Sequence, residues 1–304
     1  MKPRIVAAVL LAAGLGGCLS TSERTEPADP APLSWRDLRR LPEPGDVPRL
    51  GYGTAPEQFG ELRLPLGVPG PFPVMILIHG DCWGADEDYR YMRAFAEAVS
   101  TLGVATWTIE YRRPGAGGGW PDSFLDVAHA ADHLRVLAQT HPLNLKRVVA
   151  AGHSGGGQLA LWLAARKRLP ASDPLHVRRP LPIHGVIGLA AMTDLEAQHA
   201  VTRRDCGSGV EALLGGPPAQ LRDRYTQLSP IDLLPLRVPQ WFVHGERDPV
   251  VSVDTVMHYA ETARRKGDRV TLGVTSNAGH YEPVVPGSTT WMTVQRAVVA
   301  ALLE

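Results

Sequence analysis

The segment Val148-Val149-Ala150-Ala151-Gly152-His153-Ser154-Gly155-Gly156-Gly157-Gln158 decides the fold. Its apolar start suits a short strand over residues 147–152, and a helical pattern follows from about Gly156 to Arg168. A bare G-x-S-x-G match is a common glycine-rich turn. Between a strand and a helix it becomes a nucleophile elbow, in which small residues two before and two after the serine let the two backbones approach closely.

Outward from this segment, strand and helix patterns alternate. Residues 58–66 alternate like an edge strand, and residues 73–79 (Pro-Val-Met-Ile-Leu-Ile-His) form a near-continuous apolar run, as in a strand covered on both faces. Helical spacing over 87–100 precedes a strand at 104–111 and a helix at 124–137. Beyond the elbow, strands are predicted at 184–191, 240–244 and 270–274, with helices at 255–266 and 290–303. This order predicts an α/β fold, a doubly wound, mostly parallel sheet with helices on both faces. Residues 193–236 are too long for a bare loop, and a small cap over the carboxyl edge of the sheet is the simplest assignment.

A serine hydroxyl needs a base to take its proton during attack. At such an elbow the chain order is serine, acid, histidine. His280, in Asn277-Ala278-Gly279-His280-Tyr281, is the histidine placed in a loop after the last predicted strand; His244 ends a strand and His258 lies in a helix. Glu246 and Asp248 both follow the preceding strand. Asp248 is preferred, because Pro249 and the apolar pair after it fix its backbone, while Glu246 suits solvent. The oxyanion donors are expected from the backbone of Gly155 and of the loop Gly80-Asp81-Cys82. His79 is read as bracing that loop. Trp83, Trp120, Met192 and Tyr281 are the apolar residues expected along the substrate pocket. His129 and His133 stand four apart on one helix without a third ligand, so no metal site is read there. Gly115 to Gly119 reads as a loop near the pocket rim.

The first residues differ in character. Lys2 and Arg4 precede an apolar run too short to span a bilayer, ending Leu15-Gly16-Gly17-Cys18. This resembles a lipoprotein signal peptide over 1–17, with Cys18 lipidated and residues 18–50 a tether and linker to a domain at 51–304. The expectation is an exported protein on the bacterial cell envelope, touching membrane only through that anchor. Cys82 and Cys206 then remain as an even pair in an oxidising compartment, either bridged or separately buried. Charge is balanced, with 31 Lys plus Arg against 31 Asp plus Glu, which gives no electrostatic case for nucleic acid.

Taken together, the strand with His79-Gly80, Trp83, the elbow, Asp248-Pro249-Val250-Val251 and Gly279-His280 resemble the α/β-hydrolase superfamily. The nearest likeness is to bacterial carboxylesterases related to kynurenine formamidases and hormone-sensitive-lipase-like esterases. The resemblance implies a serine hydrolase that cleaves a small carboxylic ester through an acyl-enzyme, with Ser154, Asp248 and His280 as its triad and no metal or organic cofactor. Arylformamidase, prolyl-oligopeptidase-like peptidase and a catalytically silent binding protein are the alternatives. Those relatives carry His-Gly-Gly where this chain has His79-Gly80-Asp81. A carboxylate there opposes a developing oxyanion unless it turns away or pairs with a cation, so Asp81→Gly is expected to keep or raise turnover.

Overall fold

A computed structural model describes residues 31–201 and 206–303. The signal-peptide and Cys18 readings lie outside the described residues. Eight strands form one sheet: β1 (Arg49–Gly51), β2 (Phe59–Arg63), β3 (Phe72–Ile78), β4 (Ala105–Ile109), β5 (Leu143–His153), β6 (Gly185–Leu189), β7 (Gln240–Gly245) and β8 (Val270–Thr275). Their spatial order is β1-β2-β4-β3-β5-β6-β7-β8. The first two pairings are antiparallel and every later one is parallel. This is the α/β-hydrolase fold. The predicted edge strand at 58–66 is instead second in the sheet. The three-residue β1 covers it, too short for its pattern to show in the sequence.

Period-two alternation divides the central strands between two cores. Val74, Ile76 and Ile78 of β3, with Val148 and Ala150 of β5, face α3 (Asp122–Leu137), α4 (Gly155–Ala165) and α8 (Val253–Arg265). Met75 and Leu77, with Val149 and Ala151, face α2 (Arg93–Ser100) and α9 (Trp291–Leu302). Both sides are apolar, which explains the unbroken hydrophobic runs. Residues 193–236 carry three helices, α5 (Leu195–Val201), α6 (Gly207–Leu214) and α7 (Arg222–Leu228). Gln158 of α4 donates to the carbonyl of Leu228 at 2.9 Å, which fixes the end of α7 to the body of the domain.

The linker reading of residues 31–50 needs correction. A short helix α1 (Trp35–Leu38) packs Leu38 into the α2/α9 core. The Leu33 N–H donates to Glu282 at 2.6 Å, and the Trp35 indole N–H donates to Glu87 at 2.8 Å. Pro-rich, charged flanks made the stretch look like a tether, but its few apolar side chains are enough to dock it.

Leu38→Ala is therefore expected to destabilise the domain by about 2–4 kcal/mol, as for other buried leucine truncations. Urea unfolding measures this, and a change within ~0.5 kcal/mol, typical of surface substitutions, would return the segment to the status of a tether.

Candidate active site

Strand β5 ends at His153 and α4 begins at Gly155, so Ser154 alone makes the turn. It sits at φ 54°, ψ −122°, a backbone region costly for a side-chain-bearing residue. The turn is held by three backbone bonds: the Ser154 N–H donates to Leu189 at 2.9 Å, and its carbonyl accepts from Gly157 at 3.0 Å and Met192 at 3.1 Å. Glycine is required around it. A Cβ on Gly152 would press into the Gly156 carbonyl, and one on Gly80 would lie 2.5 Å from the His153 carbonyl oxygen.

Ser154, His280, His153, Asp81, Cys82 and Cys206 line one cavity of about 280 Å³, with Trp35, Val250 and Tyr281 completing its wall. No hydrogen bond joins the Ser154 hydroxyl to His280 among the described residues; the two meet as walls of this cavity. His280 Nδ1 donates to Asp248 Oδ2 at 2.7 Å. The other carboxylate oxygen accepts the Val250 and Val251 N–H groups at 2.8 and 2.9 Å, so the chain after Pro249 wraps around the acid. Burial pushes the Asp248 carboxyl up, but the adjacent His280, His244 and the Val251 N–H outweigh it and hold the group below the usual carboxylate range. Glu246 is exposed.

The oxyanion loop is built differently from the expectation. Asp81, Cys82 and Trp83 take φ values of 70°, 50° and 59°, three successive left-handed residues. That turn carries the Trp83 ring inward onto the start of α4, where a Cβ on Gly155 would come 2.8 Å from it. Trp83 is thus fully buried packing and not pocket wall. The Gly80 N–H is not an available oxyanion donor, because it donates to the Tyr91 hydroxyl at 2.7 Å. Cys82 and Cys206 are joined by a disulfide, with 5.1 Å between Cα atoms, which ties this loop to the cap at α6.

Two other pocket residues also lie elsewhere. Met192 is buried and contributes its N–H to Ser154. Trp120 donates its backbone N–H to Leu213 of the cap at 2.7 Å and stacks under Arg224, 3.7 Å from its ring centre, along a separate groove. The loop at 115–119 leads to this contact. Of the four expected wall residues, only Tyr281 lines the Ser154 cavity. His79 hydrogen-bonds Glu110 at 3.0 Å and stacks on Tyr111, as a brace. His133 stacks on Trp107 while His129 is exposed.

Sequence reasoning missed Trp35, Tyr91 and His153. The Tyr91 hydroxyl accepts from Gly80 and donates to His153 Nδ1 at 3.0 Å. His153 Nε2 reaches the carbonyl of His280 at 3.0 Å, and a carbonyl only accepts, so Nε2 carries a proton. One relay thus links the oxyanion loop, the elbow and the His280 loop. Burial, with the nearby His280, pushes the His153 pKa down to about 3.

An unfolded histidine takes up its proton near pH 6.5, whereas His153 in the fold resists until about pH 3. Unfolding is therefore coupled to proton uptake between those values, and stability falls as pH falls, by up to about 1.4 kcal/mol per pH unit from this group. His153→Gln should be less stable at pH 7 yet lose stability less steeply between pH 6.5 and 4 in urea titrations. Parallel curves for the two proteins would contradict this role.

Comparison with known proteins adds the family. The chain matches BD-FAE over residues 61–262, a span that includes Ser154 and Asp248 and stops before His280. A search of curated proteins finds no match. Among solved structures, the chain is similar to a truncated carbohydrate esterase from gut microbiota, with a TM-score of 0.72 and 18% identity, covering 84% of this chain and 95% of that one. It is also similar to the thermophilic esterase Est2 of the Planctomycetes species Thermogutta terrifontis in its propionate-bound form (TM-score 0.64, 18% identity, 84% and 92% covered). A third is the acetyl ester-xyloside bifunctional hydrolase of Caldicellulosiruptor lactoaceticus (TM-score 0.65, 17% identity, 84% and 98% covered). At such identities these likenesses speak for the fold, and the match over residues 61–262 speaks for descent: the chain belongs to the BD-FAE family, whose members are α/β-hydrolase-like esterases.

Proposed function

We propose that this chain is a serine esterase that cleaves small carboxylic esters through an acyl-enzyme. The observation that carries the reading is the convergence of Ser154, at the strained turn, and the Asp248-bound His280 on one small cavity. Ser154 Oγ attacks the ester carbonyl while His280 Nε2 takes its proton. Asp248 keeps the proton on Nδ1 and stabilises the imidazolium. The developing oxyanion is met by the Gly155 N–H at the first turn of α4, where the helix dipole is favourable, and by backbone N–H groups of Asp81 and Cys82. The imidazolium then protonates the departing alcohol, and water repeats the sequence to release the acid. Every proton moved is supplied by Ser154, water and His280.

A cavity of about 280 Å³ favours short acyl groups. Structures of the Thermogutta terrifontis esterase hold propionate and butyrate, and another is phosphonylated by sarin. These are facts about that protein, and they recommend the same probes here. Trp35 limits the pocket in this reading. Its ring lies 5.2 Å from Tyr91 and 5.6 Å from Tyr281, and its N–H is fixed by Glu87.

A fluorophosphonate should label the protein and fail to label Ser154→Ala, whose kcat on p-nitrophenyl acetate should drop roughly 10⁴-fold or more. Persistent labelling in the variant would overturn the assignment. Across p-nitrophenyl acetate to octanoate, wild type should lose about tenfold or more in kcat/KM on the longer chains, and Trp35→Ala should narrow that gap. N-formylkynurenine, a peptide amide and acetylated xylan in the same series separate the amidase and carbohydrate-ester readings.

A further inference from the structure

Asp81 is a charged side chain in the Ser154 cavity with no part in the chemistry above. It stands where the resembling esterases have glycine and is held at φ 70°, a conformation that glycine adopts without strain. Among the described residues, its carboxylate has no hydrogen bond or ion pair, and none of those lining the cavity is a lysine or arginine. The carboxylate of Asp248 is committed to His280 and two backbone N–H groups. Trp35 and Tyr281 line the same cavity. For a neutral ester this arrangement is a handicap, since a carboxylate lining the cavity opposes the oxyanion that must form there.

We propose that Asp81 binds a cationic group of the substrate, so that the preferred esters carry an ammonium. Aromatic residues and a carboxylate lining one small cavity make an environment that attracts such a cation, through the rings and the charge together. Binding also neutralises Asp81 when the oxyanion develops, so the cation improves kcat as well as KM. Partial burial and the nearby Glu87 push the Asp81 carboxyl up, against the smaller opposing pull of His79 and Arg113. The inference rests on the serine-esterase reading and adds a substrate class to it.

The test compares charged esters with neutral isosteres on the full-length protein. Acetylcholine against 3,3-dimethylbutyl acetate places the charge in the alcohol; p-nitrophenyl 4-aminobutyrate against p-nitrophenyl pentanoate places it in the acyl group. In at least one pair, wild-type kcat/KM should favour the cation by about tenfold or more, and added salt should reduce the preference. Asp81→Asn keeps the shape and tolerates the left-handed backbone. It should bring that ratio close to one while raising turnover of the neutral ester. Ratios near one for both pairs in wild type, or a ratio unchanged in Asp81→Asn, overturn the proposal. Should the variant not fold, the wild-type ratios and their salt dependence decide alone. If neutral esters are not hydrolysed, or are hydrolysed equally by Ser154→Ala, it is the serine-esterase reading that fails.

Discussion

Three backbones cross at the elbow with room between them for hydrogen atoms only. Gly152 at the end of β5 faces Gly156 in the first turn of α4, Gly156 abuts the carbonyls of Ile78 and His79, and Gly80 abuts that of His153. No side chain fits at these contacts, so the strand, the helix and the loop after β3 are locked at fixed separation. Ser154, caught between strand and helix with no intervening loop, has to adopt a strained backbone. The cost, on the order of 1–3 kcal/mol for such a residue, is offset by α4, whose residues are all buried against the sheet and the neighbouring helices. What results is a hydroxyl raised at the amino end of a helix, next to the loop that follows β3.

Around that crossing, Asp248, Tyr91 and His153 are each fully engaged in hydrogen bonds. Each oxygen of Asp248 has its donors, and Tyr91 both accepts and donates. His153 uses both ring nitrogens while staying uncharged. A neutral histidine here matters electrostatically. An imidazolium whose ring centre lies 4.7 Å from that of His280 would repel a positive charge on the His280 ring.

Much of this was legible in the chain. The alternating elements, the elbow and the positions of Asp248 and His280 are written in local patterns: apolar runs, a glycine spacing, an aspartate followed by Pro-Val-Val, a loop histidine after the last strand. What was not legible depends on direction and distance. Trp83 and Trp120 stand beside the right motifs, but the left-handed turn sends one inward and the cap draws the other away. Tyr91 and His153 have no signature, since a tyrosine before a helix and the variable residue of G-x-S-x-G are unremarkable until the fold brings them within 3.0 Å. Trp35 was hidden by its surroundings, a polar, proline-rich stretch that reads as unstructured.

Glu282 joins regions far apart in sequence. One of its oxygens takes the N–H of Leu33 and the other that of Gly279, immediately before His280. The early part of the described chain and the histidine loop are therefore fastened to the same buried side chain, like two straps on one buckle. A domain cut to the boundaries suggested by pattern, starting at residue 51, would discard one strap together with Trp35, and leave a buried carboxylate short of a donor. Residues from about 31 onward belong to the catalytic body, and any fusion, transplant or shortened version of the enzyme has to carry them along.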